Sequence, residues 1–213
     1  MQEQKENESG SMMLEIIAVL AILAIMTPIV YQQSLKRSRE VSNVNMADEM
    51  RSVKNAVKAY LDANQETILQ ACGSPDKLTN CTDYITISDI DPFFLRGTNY
   101  EFGTTYTDNG DEDYIVQVYG TNTPYTVNAG TANEEMFYKP NLFAILSSRS
   151  QPADLKKGRA MKIASLVGAA GGICDSNSNI TGSYGSWGLA TTEVDGLSNI
   201  CFENNTIVVR TDM

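Results

Sequence analysis

Residues 12–31 read MMLEIIAVLAILAIMTPIVY, a run in which Glu15 is the single charged side chain. As a helix rising about 1.5 Å per residue, such a run spans about 30 Å, the thickness of a bilayer's hydrocarbon core. A secretory signal peptide has a basic start, an apolar run of about 7–15 residues and a small-residue cleavage site behind it. Here the small residues Ser9, Gly10 and Ser11 precede the apolar run instead, so the segment reads as a membrane span that stays on the chain. A lone carboxylate inside a bilayer costs about 2.5 kcal/mol or more on insertion scales. Glu15 therefore needs either a place near the headgroups, as in a simple signal anchor, or a counter-charge.

The stretch GSMMLE at residues 10–15 resembles the processing site of the type IV prepilins. The resemblance implies that a prepilin peptidase cuts after Gly10, and that Ser11 becomes the new N-terminus and a candidate for N-methylation. It also implies that Glu15, fifth in the mature chain, neutralises the amine of a neighbouring subunit's Ser11 inside an assembled filament. Residues 1–10 would be the leader, 11–40 the transmembrane and filament-core helix, and 41–213 the globular head, including the amphipathic half of the helix. Three features depart from the usual pattern. Ser11 stands where Phe or Met is commoner, the leader MQEQKENESG is acidic, and Lys36, Arg37 and Arg39 follow the apolar run. The last of these would by itself hold the C-terminal side in the cytoplasm. The cysteines argue for the opposite orientation.

Those cysteines are Cys72, Cys81, Cys174 and Cys201, an even number without C-x-x-C spacing, which fits disulfides in an oxidising compartment better than a metal or redox site. Three pairings are possible, and nearest-neighbour pairing joins Cys72 to Cys81 and Cys174 to Cys201. Histidine is absent, which excludes Ser-His-Asp and Cys-His catalysis and His-ligated zinc. With 16 Lys+Arg against 26 Asp+Glu and a net charge of -10, a basic nucleic-acid surface is excluded as well.

Past the membrane run, Met46, Met50, Val53, Val57, Tyr60 and Leu61 recur at helical spacing. The spacing predicts a helix that continues from Ser11 to about Ala71, bent at Pro28 or loosened near residues 42–45, and stopped by Gly73 and Pro75. Residues 84–88 are a candidate strand or loop. Residues 100–107 and 114–119 alternate and are joined by DNGDED, whose Asn109-Gly110 signals a hairpin. Pro140 introduces an apolar strand at 141–148, residues 206–210 supply another, and Leu155, Ile163, Leu166 and Val167 suggest a short helix ending at Gly171-Gly172. The expected class is α+β, and the resemblance implies the type IV pilin fold, with a long N-terminal helix packed on an antiparallel sheet.

Little in the head points to chemistry. Asp108, Asp111, Glu112 and Asp113 offer oxygen ligands but lack calcium-loop spacing, so they read as a solvated turn, and no metal or cofactor is expected. No G-x-S-x-G elbow, P-loop or dinucleotide fingerprint is present, and GAAGG follows the short helix instead of opening it. The chain is not expected to be an enzyme. In GSYGSWG, residues 182–188, Tyr184 and Trp187 are candidate surface contacts, although a single Trp is more often the anchor of its own loop.

A second resemblance is carried by RAMKIASLVGAAGG at residues 159–172, GSYGSWG at 182–188, VKAYLDAN at 57–64 and LFAILS at 142–147. Together these resemble the shufflon-type minor pilins of plasmid-borne thin pili, which are type IVb pilins, here without their C-terminal recognition segment. The implied function is a major or minor pilus subunit serving adhesion or conjugative contact. A type II secretion pseudopilin is the nearest alternative, and a membrane-anchored periplasmic binding protein or enzyme is the alternative of another class. Expected partners are other pilin subunits, the prepilin peptidase and the inner-membrane assembly platform. The expected location is the bacterial inner membrane with the head in the periplasm, then an extracellular fimbrium. If Gly10 marks a processing site, mass spectrometry of the mature chain finds Ser11 at its N-terminus, and Gly10→Arg accumulates unprocessed precursor. A mature N-terminus beyond residue 25 would indicate an ordinary signal peptide.

Overall fold

The structure, a computed structural model, describes residues 3–73, 77–84, 100–106, 110, 112–130, 134–152 and 155–212; at 3–12, 84, 123–125 and 136–138 it describes the backbone alone. Two compact units are present, Met1–Asn43 and Val44–Met213. The long helix α1 (Glu3–Ala71) supplies the first unit and opens the second. It ends at Ala71, the expected residue, just ahead of Gly73, whose φ of 84° takes the chain out of helical geometry. Pro28 lies inside the helix and removes one intrahelical donor.

In the second unit α1 is amphipathic. Ala47, Met50, Val53, Ala56, Val57, Tyr60, Leu61, Ile68 and Leu69 are buried, and Met46 packs at their margin. The stripe read from the sequence is thus the core face, extended by two turns. Opposite it is a sheet ordered β1-β3-β4-β8-β5-β6-β7, with β2 paired to β3 off this path. The strands are β1 (Thr79–Asn80), β2 (Phe102–Gly103), β3 (Tyr114–Val127), β4 (Glu135–Ser148), β5 (Gly171–Cys174), β6 (Ile180–Gly182), β7 (Gly188–Leu189) and β8 (Ile207–Asp212).

Both faces of the sheet centre are buried, which explains why 142–148 reads as a nearly continuous apolar run. Val116 and Val118 of β3, Leu142, Ala144 and Leu146 of β4, and Ile207 and Val209 of β8 face α1 and the helix α2 (Lys157–Val167). Their alternates Ile115, Tyr119, Phe143, Ile145 and Val208 form a second core. That core is closed by the 174–201 segment with its short helix α3 (Leu197–Ile200). α2 contributes Ala160, Ile163, Ala164 and Val167, one face at i, i+3, i+4, i+7. Arg51 of α1 holds its C-terminal end. The guanidinium donates to the carbonyls of Leu166 and Val167, where a cation complements the helix dipole.

Three sequence expectations change. The expected antiparallel pair of 100–107 with 114–119 is not formed: β2 pairs parallel to β3, with Phe102 opposite Tyr114, and residues 107–109 and 111 lie outside the described set. The cause is tertiary. Tyr106 crosses to the second core, where it stacks on Phe202 at 4.2 Å and lies under the Arg149 guanidinium at 5.1 Å. The long hairpin is β3–β4, in register from Tyr114↔Ser148 to Val127↔Glu135, and Asn128 and Gly130 take the left-handed turn conformations. Pro140 does not start the strand but lies within it. Val118 points its N–H and C=O at the β1 side, toward Thr82 and Cys81, so every even-numbered pair of this hairpin is non-hydrogen-bonded. Pro124 and Pro140 share that parity, and their missing N–H groups therefore fall on the outer edges, where proline is tolerated. Finally, α2 ends at Val167, with Gly168 at φ 103° as its cap, while Gly171 opens β5. A Cβ on Gly171 would lie 2.1 Å from the Ala164 carbonyl oxygen, so this glycine serves close helix-strand approach. The expected 84–88 segment lies outside the described residues except Tyr84, which ends a 3-10 turn, Thr82–Tyr84.

Cys72 is bonded to Cys81 and Cys174 to Cys201, with Cα–Cα distances of 5.5 and 5.6 Å. The second bridge spans a sequence separation of 27 and ties β5 to the end of α3, so it pins the segment that covers the second core. Constraint of the unfolded chain by a loop of that size stabilises by about 3–4 kcal/mol. Cys174→Ala with Cys201→Ala should lower the melting temperature of the full chain in detergent by about 10 °C. The Cys72→Ala, Cys81→Ala pair, which closes a shorter loop, should lower it less.

Candidate functional site

The residues singled out in the sequence fall on two surfaces, one in each unit. Gly10, Ser11 and Glu15 all lie in continuous α1 helix. Ser11 and Glu15 are four residues apart and thus on the same side, about one turn from each other. Glu15 is exposed, and so are its neighbours all round the helix: Leu14 at 70%, Ile16 at 55%, Ile17 at 56% and Val19 at 56%. The pattern persists through Tyr31 at 64%, and no part of the apolar window is buried within the chain. A side chain of this size gains about 1.5–3 kcal/mol on full burial, so covering the whole segment is worth on the order of tens of kcal/mol. A helix apolar on every side calls for a lipid or protein surround. By length and composition it can cross a membrane.

The second surface is the 182–188 loop. Trp187 is its anchor. Its indole N–H donates to the Ala169 carbonyl at 3.1 Å, and the ring lies so close to Gly172 and Gly182 that a Cβ at either would fall within 3 Å of it. The Arg210 guanidinium lies 5.7 Å from the Trp187 ring centroid and 4.3 Å from that of Phe143. Tyr184 is instead 80% exposed and holds a left-handed φ of 58°. The two candidate contact residues thus part company: Tyr184 faces solvent and Trp187 packs on the sheet.

The acidic group near the expected hairpin is divided. Asp108 and Asp111 lie outside the described residues, Glu112 pairs with Arg149 at 2.9 Å, and Asp113 accepts from the Glu101 N–H at 2.9 Å. No group of three or more potential metal-ligating side chains occurs among the described residues. Elsewhere the Tyr114 hydroxyl donates to Glu49 at 2.6 Å. Burial, reinforced by that carboxylate, holds its pKa far above the usual tyrosine range. Burial alone raises the pKa of Tyr119, whose hydroxyl has no hydrogen-bond partner among the described residues. Backbone N–H groups of Asn179 and Asn177 hold the Asp175 carboxyl below its ordinary value, which fixes the β5–β6 turn.

One cluster escaped the sequence reading. Lys54 and Lys58 of α1 meet Trp187, Arg210 and Thr211 around a groove of about 550 Å³. The i, i+4 lysine spacing was visible, but nothing in the sequence indicates that β8 and the 182–188 loop come to lie beside it.

Compared with family models, curated proteins and solved structures, the chain matches none. Truncation separates the roles of the two aromatics. Trp187→Ala should cost about 3 kcal/mol or more in unfolding free energy, whereas Tyr184→Ala should stay within about 0.5 kcal/mol; equal losses would contradict the division between anchor and surface.

Proposed function

We propose that this chain is a structural subunit of a type IV pilus, made as a membrane precursor and assembled through its N-terminal helix, and that its nearest functional kin are the type IVb subunits of thin pili. The observation that carries this reading is Glu15. It is the only charge in an all-round exposed apolar helix, and it lies one turn from Ser11, which follows Gly10. Cleavage after Gly10 would create an amine at Ser11 on each subunit. In a bundle of such helices, the amine of one subunit is the counter-charge for the Glu15 of its neighbour. A simple signal anchor has no use for that coincidence of spacing.

The second unit fits the same role. Its disulfide-bonded α+β build supplies a durable head. In this reading the precursor sits in the inner membrane with its head in the periplasm, a prepilin peptidase removes residues 1–10, and an assembly platform extracts the helix into a filament that carries the head outside the cell.

Removing one member of a buried ion pair typically costs about 3–5 kcal/mol. Glu15→Ala should therefore leave expression, processing at Gly10 and both disulfides intact, while subunit in sheared surface fractions falls by about tenfold or more. Undiminished incorporation, read by immunoblot, would favour a membrane anchor without assembly.

A further inference from the structure

The groove bounded by Lys54, Lys58, Ser186, Trp187, Arg210 and Thr211 is a cationic spot on an acidic chain. Lys58 reaches the Asp212 carbonyl at 2.8 Å and Asp62 at 3.6 Å, and Arg210 pairs with Asp212 at 2.6 Å. Lys54 is half-buried and has no hydrogen bond or ion pair among the described residues. With Asp62 and Asp212 counted against the three cations, one positive charge remains. Thr211, 2% exposed, also borders the groove, and its buried hydroxyl has no hydrogen-bond partner among the described residues. An ammonium without a counter-charge on the wall of a groove is a donor suited to a carboxylate.

The same unit also carries a group suited to fill it. Beyond Gly120 and Phe143, the last residues paired to β1 and β8, the β3–β4 hairpin continues as a two-stranded arm. Seven residues, 121–127, at about 3.3 Å each extend it by about 23 Å. Residues 126–130, 134, 135, 139 and 140 are exposed. Pro124 and Pro140 remove outward N–H groups from its two edges, so the arm is poorly suited to recruit a third strand. Near its tip stand the adjacent carboxylates Glu134 and Glu135, of which Glu134 accepts from the Gly130 N–H at 3.0 Å. Lys139 is the nearest basic residue on the same strand, four positions from the tip.

We propose that the groove is the socket for the Glu134–Glu135 arm tip of a second copy of this chain. Such a contact joins two different patches of the same protein, so it is heterologous, and repeated it propagates as an open helical array. This inference rests on the pilus-subunit reading and names a head-to-head contact within it. Charge complementarity selects the occupant. With a net charge of -10, copies of this chain repel one another on average, and a close approach between heads is favoured where a cationic spot meets a carboxylate pair.

Charge reversal tests the contact in cells that make the full chain as their only copy. Lys54→Glu with Lys58→Glu should reduce subunit in sheared filaments by about tenfold, as should Glu134→Lys with Glu135→Lys, and the four changes together should restore most of the loss. In parallel, carbodiimide treatment of filaments assembled from mixed light and 15N-labelled wild-type subunits should join Glu134 or Glu135 of one isotope to Lys54 or Lys58 of the other. This second measurement does not depend on any variant folding. Filaments that form normally in both reversed variants and yield no mixed-isotope conjugate would overturn the socket and leave the pilus reading standing. Absence of filaments and of mixed conjugates from the wild-type chain would overturn both.

Discussion

The pairing of β3 with β4 is the interaction on which the second unit depends. Fourteen residues of each strand are held in one register, and every other strand, directly or through β8, is attached to this ribbon. Because the side-chain period of a strand is two, that register decides which residues meet α1 and which meet the 174–201 segment. A slip by one position would put Phe143 and Ile145 against α1 and expose Leu142, Ala144 and Leu146 to the opposite layer. Burial on both faces makes such a slip costly. It also explains why the sheet centre tolerates few polar side chains: Gln117 is kept there by donating to the Thr104 carbonyl and accepting from Asn80.

Local signals reached as far as local physics does. The α1 stripe was legible because an amphipathic helix writes its buried face into spacing alone, and Met50, Val53, Val57 and Leu61 are fully buried where that spacing placed them. Nearest-neighbour cysteine pairing was legible because the chain between Cys72 and Cys81 is short and the 174–201 segment folds back on one core. The Asn109-Gly110 signal did not yield the expected antiparallel pair: β2 lies parallel to β3, and Tyr106 just beyond it stacks on Phe202, a contact between residues almost a hundred positions apart. Pro140 misled for a related reason. Its effect on a strand depends on which edge its nitrogen faces, and that is a property of register, which the sequence does not display. Gly171-Gly172 looked like a helix stop, yet its role is steric, admitting Ala164 on one side and Trp187 on the other.

The candidate site divides along the same line. Gly10, Ser11 and Glu15 are a linear pattern, fully visible in one dimension. The cationic groove joins α1, the 182–188 loop and β8, and only the fold brings Lys54 near Arg210 and Thr211. Trp187 belongs to both accounts: its indole locks the loop through Ala169, and the residue also lines the groove.

These observations assign different work to the two units. Covering the apolar surface between Met13 and Tyr31 is worth on the order of tens of kcal/mol, far more than any set of surface charges, but apolar burial is non-directional and does not by itself fix an axial position. A carboxylate in that surface does, because sliding one helix past another by a turn separates it from its counter-charge while leaving most of the apolar contact in place. In the proposed filament the head contact would add a second constraint of the same kind, since Pro124 and Pro140 leave the arm poorly suited to strand pairing and side-chain charge is the means of recognition that remains. In the proposed filament, attraction between copies would thus come from the apolar helix, and the choice of one arrangement among many from a few charges, each modest in energy and each sensitive to a displacement of a few ångströms.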